Sequence, residues 1–439
     1  GTLTVQGTFQ ASAETQYLSA PTTIASGGRF LVPPGCTVQS FAPSVSGTGT
    51  VVVQGTYLAA AASQTYSPPT TIAEGGNYII PTGSTVLSAS NVAGGGAMVI
   101  EGAYKTTASS QSHYPLTIVA QSGSFTVQPG STVNSYAPSI GGSGTMNVQG
   151  TYSVRATNQM YTPATTVANG GSFVVPRGCT VQAMGPTLAG TGTLSVEGTY
   201  QINTASHECT PSTIISSYGN LVVPQGTTLR SYSSSLSGSG KVTIGGTYVA
   251  SAQQAYSTST IINDGGSFVI PQGVTVTSSA TSYSGNGGMR VEGNYVQNNY
   301  LTNHNTPVVL GNTGTLRVKQ GCYLYMGNHV KGSGTVYLDG NLYGTTDLDY
   351  EPSTSISSTG WLSIAPDKTM TSYSPALSGT GTLTLYGAWK AAADIDIDLT
   401  AQGSGELRVA DGCRVRAIKP CKVTGTVTLG TNSELQYAP

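Results

Sequence analysis

Two acidic clusters, Asp347-Leu348-Asp349-Tyr350-Glu351 and Asp394-Ile395-Asp396-Ile397-Asp398, stand out in a chain otherwise poor in charge. They hold matching places in consecutive repeats, so Asp347, Asp349, Asp394 and Asp396 are expected to line up on one outer face. Carboxylates that close repel one another unless a hard cation such as calcium bridges them. The plainer reading is a solubilising comb that keeps strands from pairing with unwanted partners.

The cysteines also recur with a spacing. Cys36, Cys179 and Cys322 each close a Pro-x-Gly-Cys-like corner, 143 residues from one to the next, and Cys413 repeats the position. At that spacing they lie too far apart to bridge within one chain, and in an oxidising compartment they are expected to join neighbouring chains. Alternatively they are merely small residues at a tight corner, where Ser84, Ser131 and Thr227 stand elsewhere. Cys413 and Cys421 are close enough in sequence to bridge across a turn.

The remaining candidates argue against catalysis. His113, His207, His304 and His329 fall in different repeats, with no His-x-x-His or His-Glu-x-x-His spacing for zinc. No cluster of Asp, Lys or Arg fit for general acid and base work occurs in the first 330 residues. Pairs such as Thr22-Thr23, Thr70-Thr71 and Thr165-Thr166 resemble the hydroxyl rows of ice-binding solenoids, although threonine is also an ordinary exposed strand residue. The chain is expected not to be an enzyme.

The elements that carry these residues follow from one repeat. Gly-x-φ-x-φ, with φ a large apolar residue, occurs nineteen times from Gly1 to Gly425, in steps of about 27 and about 21 residues. Apolar residues alternate at period two within each unit, as in Thr193-Leu194-Ser195-Val196, which marks half-buried strands. Gly, Pro, Asn and Ser bound the runs of Val, Ile, Thr, Tyr and Phe, which is strand and turn chemistry. A unit this short cannot bury its apolar face alone and must stack on its neighbours. The sequence therefore predicts an all-β fold, a single elongated β-solenoid (β-helix) of about nineteen coils, with two coils per repeat of about 48 residues. Residues 1–393 are regular; residues 394–439 are expected to be irregular coils forming a partial cap.

Three inward columns are expected. One runs through Phe9, Tyr57, Tyr104, Tyr152, Tyr200, Tyr248, Tyr295, Leu342 and Trp389; a second through Ile24, Ile72, Val119 and Val167; a third through Val45, Val92, Ile140, Leu188 and Leu236. The glycine that follows each strand, Gly198 for example, sits where the chain turns with no room for a side chain.

Composition narrows the function classes. Charged residues are 8% of the chain, against roughly 25% in an average soluble protein. A formal net charge of −1 offers no basic patch, which removes nucleic acid from the expected partners. No apolar stretch approaches the roughly 20 residues of a membrane-spanning helix. Residues 1 to 219 hold four Lys or Arg and five Asp or Glu, while residues 220 to 439 hold thirteen of each. Such a neutral surface suits packing against copies of the same chain, or a coat of glycan, although no Asn-x-Ser/Thr sequon occurs. The chain opens inside a repeat, so it reads as a mature exported form whose first coil would present a sheet edge to another subunit.

The Gly-Thr-Leu-x-Val-x-Gly-Thr-Tyr units, as at Gly192 to Tyr200 and, with Ala388 for Thr, Gly381 to Trp389, resemble the coils of filamentous-haemagglutinin and autotransporter passenger β-helices. The chain shows neither the export cap nor the outer-membrane barrel of those families. In composition it is similar to self-assembling surface-layer proteins and to the sheath proteins of methanogenic archaea. These resemblances imply a secreted structural protein at the cell surface that assembles with itself into a sheath, fibre or layer. An adhesin or phage-fibre shaft is the alternative, and a carbohydrate-active β-helix enzyme a distant one.

Overall fold

A computed structural model describes residues 1–419 and 421–437. The described residues contain strands and turns and no helix, so the chain is all-β. It forms two compact units, Gly1–Leu221 and Val222–Pro439. Both are β-solenoids built on one plan: each strand pairs in parallel with the third strand before and the third after it, so three strands make one coil. The pairing advances 18 to 23 residues per coil.

The coil count corrects the sequence expectation. The described residues hold 63 strands, of which Ala376–Leu385 and Ile395–Gly403 each continue round a corner and serve as two, giving about 22 coils instead of nineteen. The physical reason lies in the two glycine spacings. From Gly49 to Gly76 the chain makes four strands, but from Gly76 to Gly96 only three. The glycine motif thus marks two strands of every seven, and counting it undercounts the coils.

Seven strands per repeat and three per coil do not divide. A repeat is two and one-third coils, not two, so each repeat is turned by one face relative to the last. The expected columns are corrected accordingly. Every member of the Tyr57 set except Phe9 is buried, as foreseen, but its members lie on different faces. The actual column through Tyr57 is Val38, Tyr57, Tyr78, Met98, Thr117, Ile140, Tyr161 and Ala183. Residues from both halves of the repeat therefore stack together. The same holds for Ile24, Ile72, Val119 and Val167, and for Val45, Val92, Ile140, Leu188 and Leu236, all of which are buried.

Inside the coils, two polar devices recur in several of the repeats. In the first, a buried glutamine closes the corner of the coil below: Gln159 Nε2 donates to Ser135 Oγ and to the Ala137 carbonyl, both at 2.8 Å, and its Oε1 accepts from Tyr152 Oη at 3.1 Å. Gln64 and Gln254 repeat the bonds to serine and carbonyl. In the second, an inward tyrosine bonds a threonine four residues on, as Tyr66 to Thr70 and Tyr350 to Thr354, both at 2.6 Å. That threonine donates to the carbonyl two residues before it. Buried polar groups without partners cost roughly 1–3 kcal/mol each, so these bonds are what make the polar corners compatible with an apolar interior.

Candidate functional site

The four aspartates expected to share a cation do not meet. Asp347 Oδ1 accepts the Thr369 backbone N–H at 2.7 Å, and Asp394 Oδ1 accepts that of Arg414 at 2.8 Å, so each ties down a corner of the next coil. Asp349 lies 3.5 Å from Lys331 Nζ, and Asp396 lies 3.6 Å from Arg416 Nε. Asp349 stands beside Thr371 in the register, while Asp396 stands between Ala376 and Arg416. The turn of one face per repeat separates the two clusters, and basic partners take the place given to calcium. Among the described residues no group of three or more His, Cys, Asp or Glu is placed to hold a metal.

The cysteines occupy the corner foreseen for them. Cys36 and Cys179 fall seven coils apart at the same corner of the first unit, because three repeats make a whole number of coils. That separation is on the order of 34 Å at about 4.8 Å per strand. Cys36 is half-buried, its Sγ 3.8 Å from the Ala11 carbonyl. Cys179 and Cys322 are buried, and burial pushes both thiols up, with Arg155 and Lys319 pulling weakly the other way. Cys413 is half-buried, and among the described residues no disulfide joins any of these cysteines. The side chain of Cys421, and with it the Cys413–Cys421 bridge, lies outside the described residues.

Three histidines are core residues. His113 Nε2 bonds Thr117 Oγ1 at 2.6 Å, standing where other repeats place tyrosine, and His207 Nδ1 bonds the Gly185 carbonyl at 2.8 Å. Burial lowers the pKa of His113 and His304 to about 4 and lowers that of His207 as well. The threonine rows are not formed. Thr22, Thr70 and Thr165 point inward and donate to carbonyls two residues before them. The outward Thr23, Thr71 and Thr166 are flanked by Thr4 and Ser46, Val52 and Ala93, and Asn147 and Ala189. Only the first has hydroxyls on both sides.

Two features of the outer surface were not legible from spacing. In the first unit, large apolar side chains stand out from corners and strands in stacked pairs: Tyr17 with Phe41 at 6.4 Å between ring centroids, and Tyr114 with Tyr136 at 4.5 Å and 7° between planes. In the second unit, the outward positions of strands Tyr323–Met326, Asn341–Gly344 and Trp361–Ile364 form two adjacent rows. One row runs Tyr323, Asn341, Trp361, and the other Tyr325, Tyr343, Ser363, Thr384. Each row steps from a large side chain to a small one, which leaves a recess of about 180 Å³ with Tyr386 on its far rim. No charged residue lines it. An outward aromatic is invisible to a pattern search for inward columns, and only the register reveals that these residues adjoin.

No protein-family model matches the sequence, and no curated protein matches it. Among solved structures the chain is similar to a TibC-catalysed hyper-glycosylated TibA fragment, with 18% identity over 76% of this chain and 96% of that one. The TM-score of 0.24 makes this a loose likeness that carries no functional argument.

Proposed function

We propose that the chain is a structural protein, a β-solenoid subunit that assembles with copies of itself into an extracellular sheath, fibre or surface layer. The observation that carries this reading is the outer surface of Gly1–Leu221: four basic and five acidic residues in all, with stacked aromatic pairs exposed between them. A surface so poor in charge has little to keep copies apart, and burying it against another copy requires almost no desolvation of ions. Exposed aromatic pairs are the side chains that contribute most when such contacts close. The reading assigns no catalytic role, in keeping with three histidines sealed in the core. Where copies are cross-linked, Cys36 and Cys413 are the thiols within reach of solvent.

Electron microscopy together with sedimentation velocity tests this on the purified chain across a range of concentrations. Regular tubes, filaments or sheets that grow with concentration are the expected result. A single sedimenting species and dispersed particles at every concentration would overturn it.

The second reading, an adhesin or fibre shaft, is favoured by one observation, the aromatic recess of the second unit. The two readings differ in what they require: assembly needs only this chain, and attachment needs a ligand.

A further inference from the structure

The recess combines three properties that assembly does not call for. Its walls are aromatic, with Tyr325 and Tyr343 set edge to face at 5.4 Å between centroids and 70° between planes, and Trp361 more than one-third exposed. Its floor is polar, formed by Asn341 and Ser363, which are only 9% and 6% exposed although they point outward. Asn341 Oδ1 is buried and has no hydrogen-bond partner, and Thr384 Oγ1, next in the same row as Ser363, is likewise buried without one.

A buried acceptor left unpaired is costly and rare, so such an atom marks a place where a donor is missing. Unlike the unpaired atoms of the core, Asn341 belongs to a residue that lines an open recess, where a group from outside can supply the partner. Its carrier must also lie flat against ring faces, and a lining with no carboxylate to pair a cation and no basic group to pair an anion favours a neutral one. A sugar ring meets all three conditions: its C–H faces pack on aromatic rings while its hydroxyls both donate and accept. At about 180 Å³ the recess is smaller than the roughly 300 Å³ and above of pockets for drug-sized ligands, which suits one ring and not a folded ligand.

We propose that this recess binds one neutral sugar residue of a glycan, with Trp361 and Tyr343 as the stacking surfaces and the side-chain amide of Asn341 hydrogen-bonding a sugar hydroxyl. The inference goes beyond self-assembly and does not depend on it.

The chain has two tryptophans, and Trp389 is fully buried, so a ligand in the recess is read through Trp361 alone. The full chain is titrated with neutral hexasaccharides of glucose, N-acetylglucosamine, mannose and galactose while tryptophan emission is followed, with choline as a cationic control. At least one neutral sugar is expected to change the emission saturably, and Asn341→Ala is expected to weaken it at least tenfold with the melting temperature held within a few degrees. Trp361→Phe should abolish the signal, and calorimetry on Asn341→Ala keeps the test independent of that probe. Binding by none of the sugars overturns the proposal. So does a response to choline alone, which would make the recess a cation cage. A third contrary result is a change in emission with protein concentration without sugar, abolished by Trp361→Ala, which would assign the recess to a second copy of the chain.

Discussion

Tyr57 stacks on Tyr78, with ring centroids 5.1 Å apart and planes 22° from parallel, and the two are direct register partners on neighbouring coils. Their places in the repeat differ: Tyr57 follows Gly55-Thr56, whereas Tyr78 follows Gly76-Asn77 in the other half. The counterpart of Tyr57 is Tyr104, which packs against Phe125 at 5.2 Å. The contact therefore joins two unlike halves, which is possible because both present a large apolar residue at the same point of a strand. This tolerance lets a seven-strand repeat wind on a three-strand coil, with every face receiving each kind of residue in turn.

The glycine before each Thr-Tyr pair is fixed by that close stacking. At Gly198 an added Cβ would collide with the carbonyl oxygens of Cys179 and Pro176 on the coil below. These are backbone atoms of a hydrogen-bonded corner and cannot move aside cheaply. Gly198→Val is expected to cost about 1–3 kcal/mol or more, read as a lower melting temperature, with Gly198→Ala in between. An unchanged melting temperature for Gly198→Val would show that the corner is looser than described.

The buried amide ladder makes a second expectation. Gln159→Ala removes the donor to the Ala137 carbonyl and the partner of Tyr152, leaving both in an apolar interior. The loss is expected to be about 2–4 kcal/mol from the unpaired groups and the small cavity together. Denaturant unfolding measures it, and a loss under ~0.5 kcal/mol would contradict the role given to the ladder.

Acid should weaken the fold through the core histidines. Burial holds His113 and His304 at about 4 when folded, against about 6.5 when unfolded. The unfolded chain thus takes up protons first as pH falls, so stability is unaffected above about pH 6.5, declines between 6.5 and 4, and changes no further from these groups below that. Each histidine accounts for roughly 3 kcal/mol over the full window. His113→Tyr, which restores the residue found at the matching position in Tyr66 and Tyr161, should reduce, but not abolish, the pH dependence of the melting temperature between 6.5 and 4, since His304 still contributes. An equal slope in wild type and variant would contradict this.

Thiol accessibility separates the cysteines. Cys209, deeply buried, has its thiol pushed up to about 12, chiefly by burial, and Cys179 and Cys322 are raised by the same cause. Alkylation of the native chain at neutral pH, read by mass spectrometry, should modify Cys36 and Cys413 well before these three. Equal rates at all five would mean that the corners open freely.

How far the sequence reveals this molecule differs from level to level. Strand chemistry, period-two burial and the need to stack are written in residues such as Leu194 and Val196, because burial leaves an apolar mark at every inward position. The number of strands per coil leaves no such mark. It is set by how the chain turns at corners like Pro33 to Cys36, and the same glycine motif is compatible with two coils per repeat or two and one-third. Everything that depended on that choice moved with it: the Tyr57 column, the threonine rows, and the alignment of Asp347 and Asp349 with Asp394 and Asp396. The recess was illegible for the same reason, since Tyr343, Trp361 and Tyr386 become neighbours only once the register is known.

The turn of one face per repeat is tested most directly by dipolar broadening between nitroxide labels at Leu58 and Lys105 in a cysteine-free background. These outward residues are counterparts in adjacent repeats. With two coils per repeat they would share a face about 10 Å apart, and the labels would broaden each other's spectra strongly. The account predicts no broadening for this pair, and strong broadening for Leu58 with its register partner Ile79. Strong broadening between Leu58 and Lys105 would contradict it.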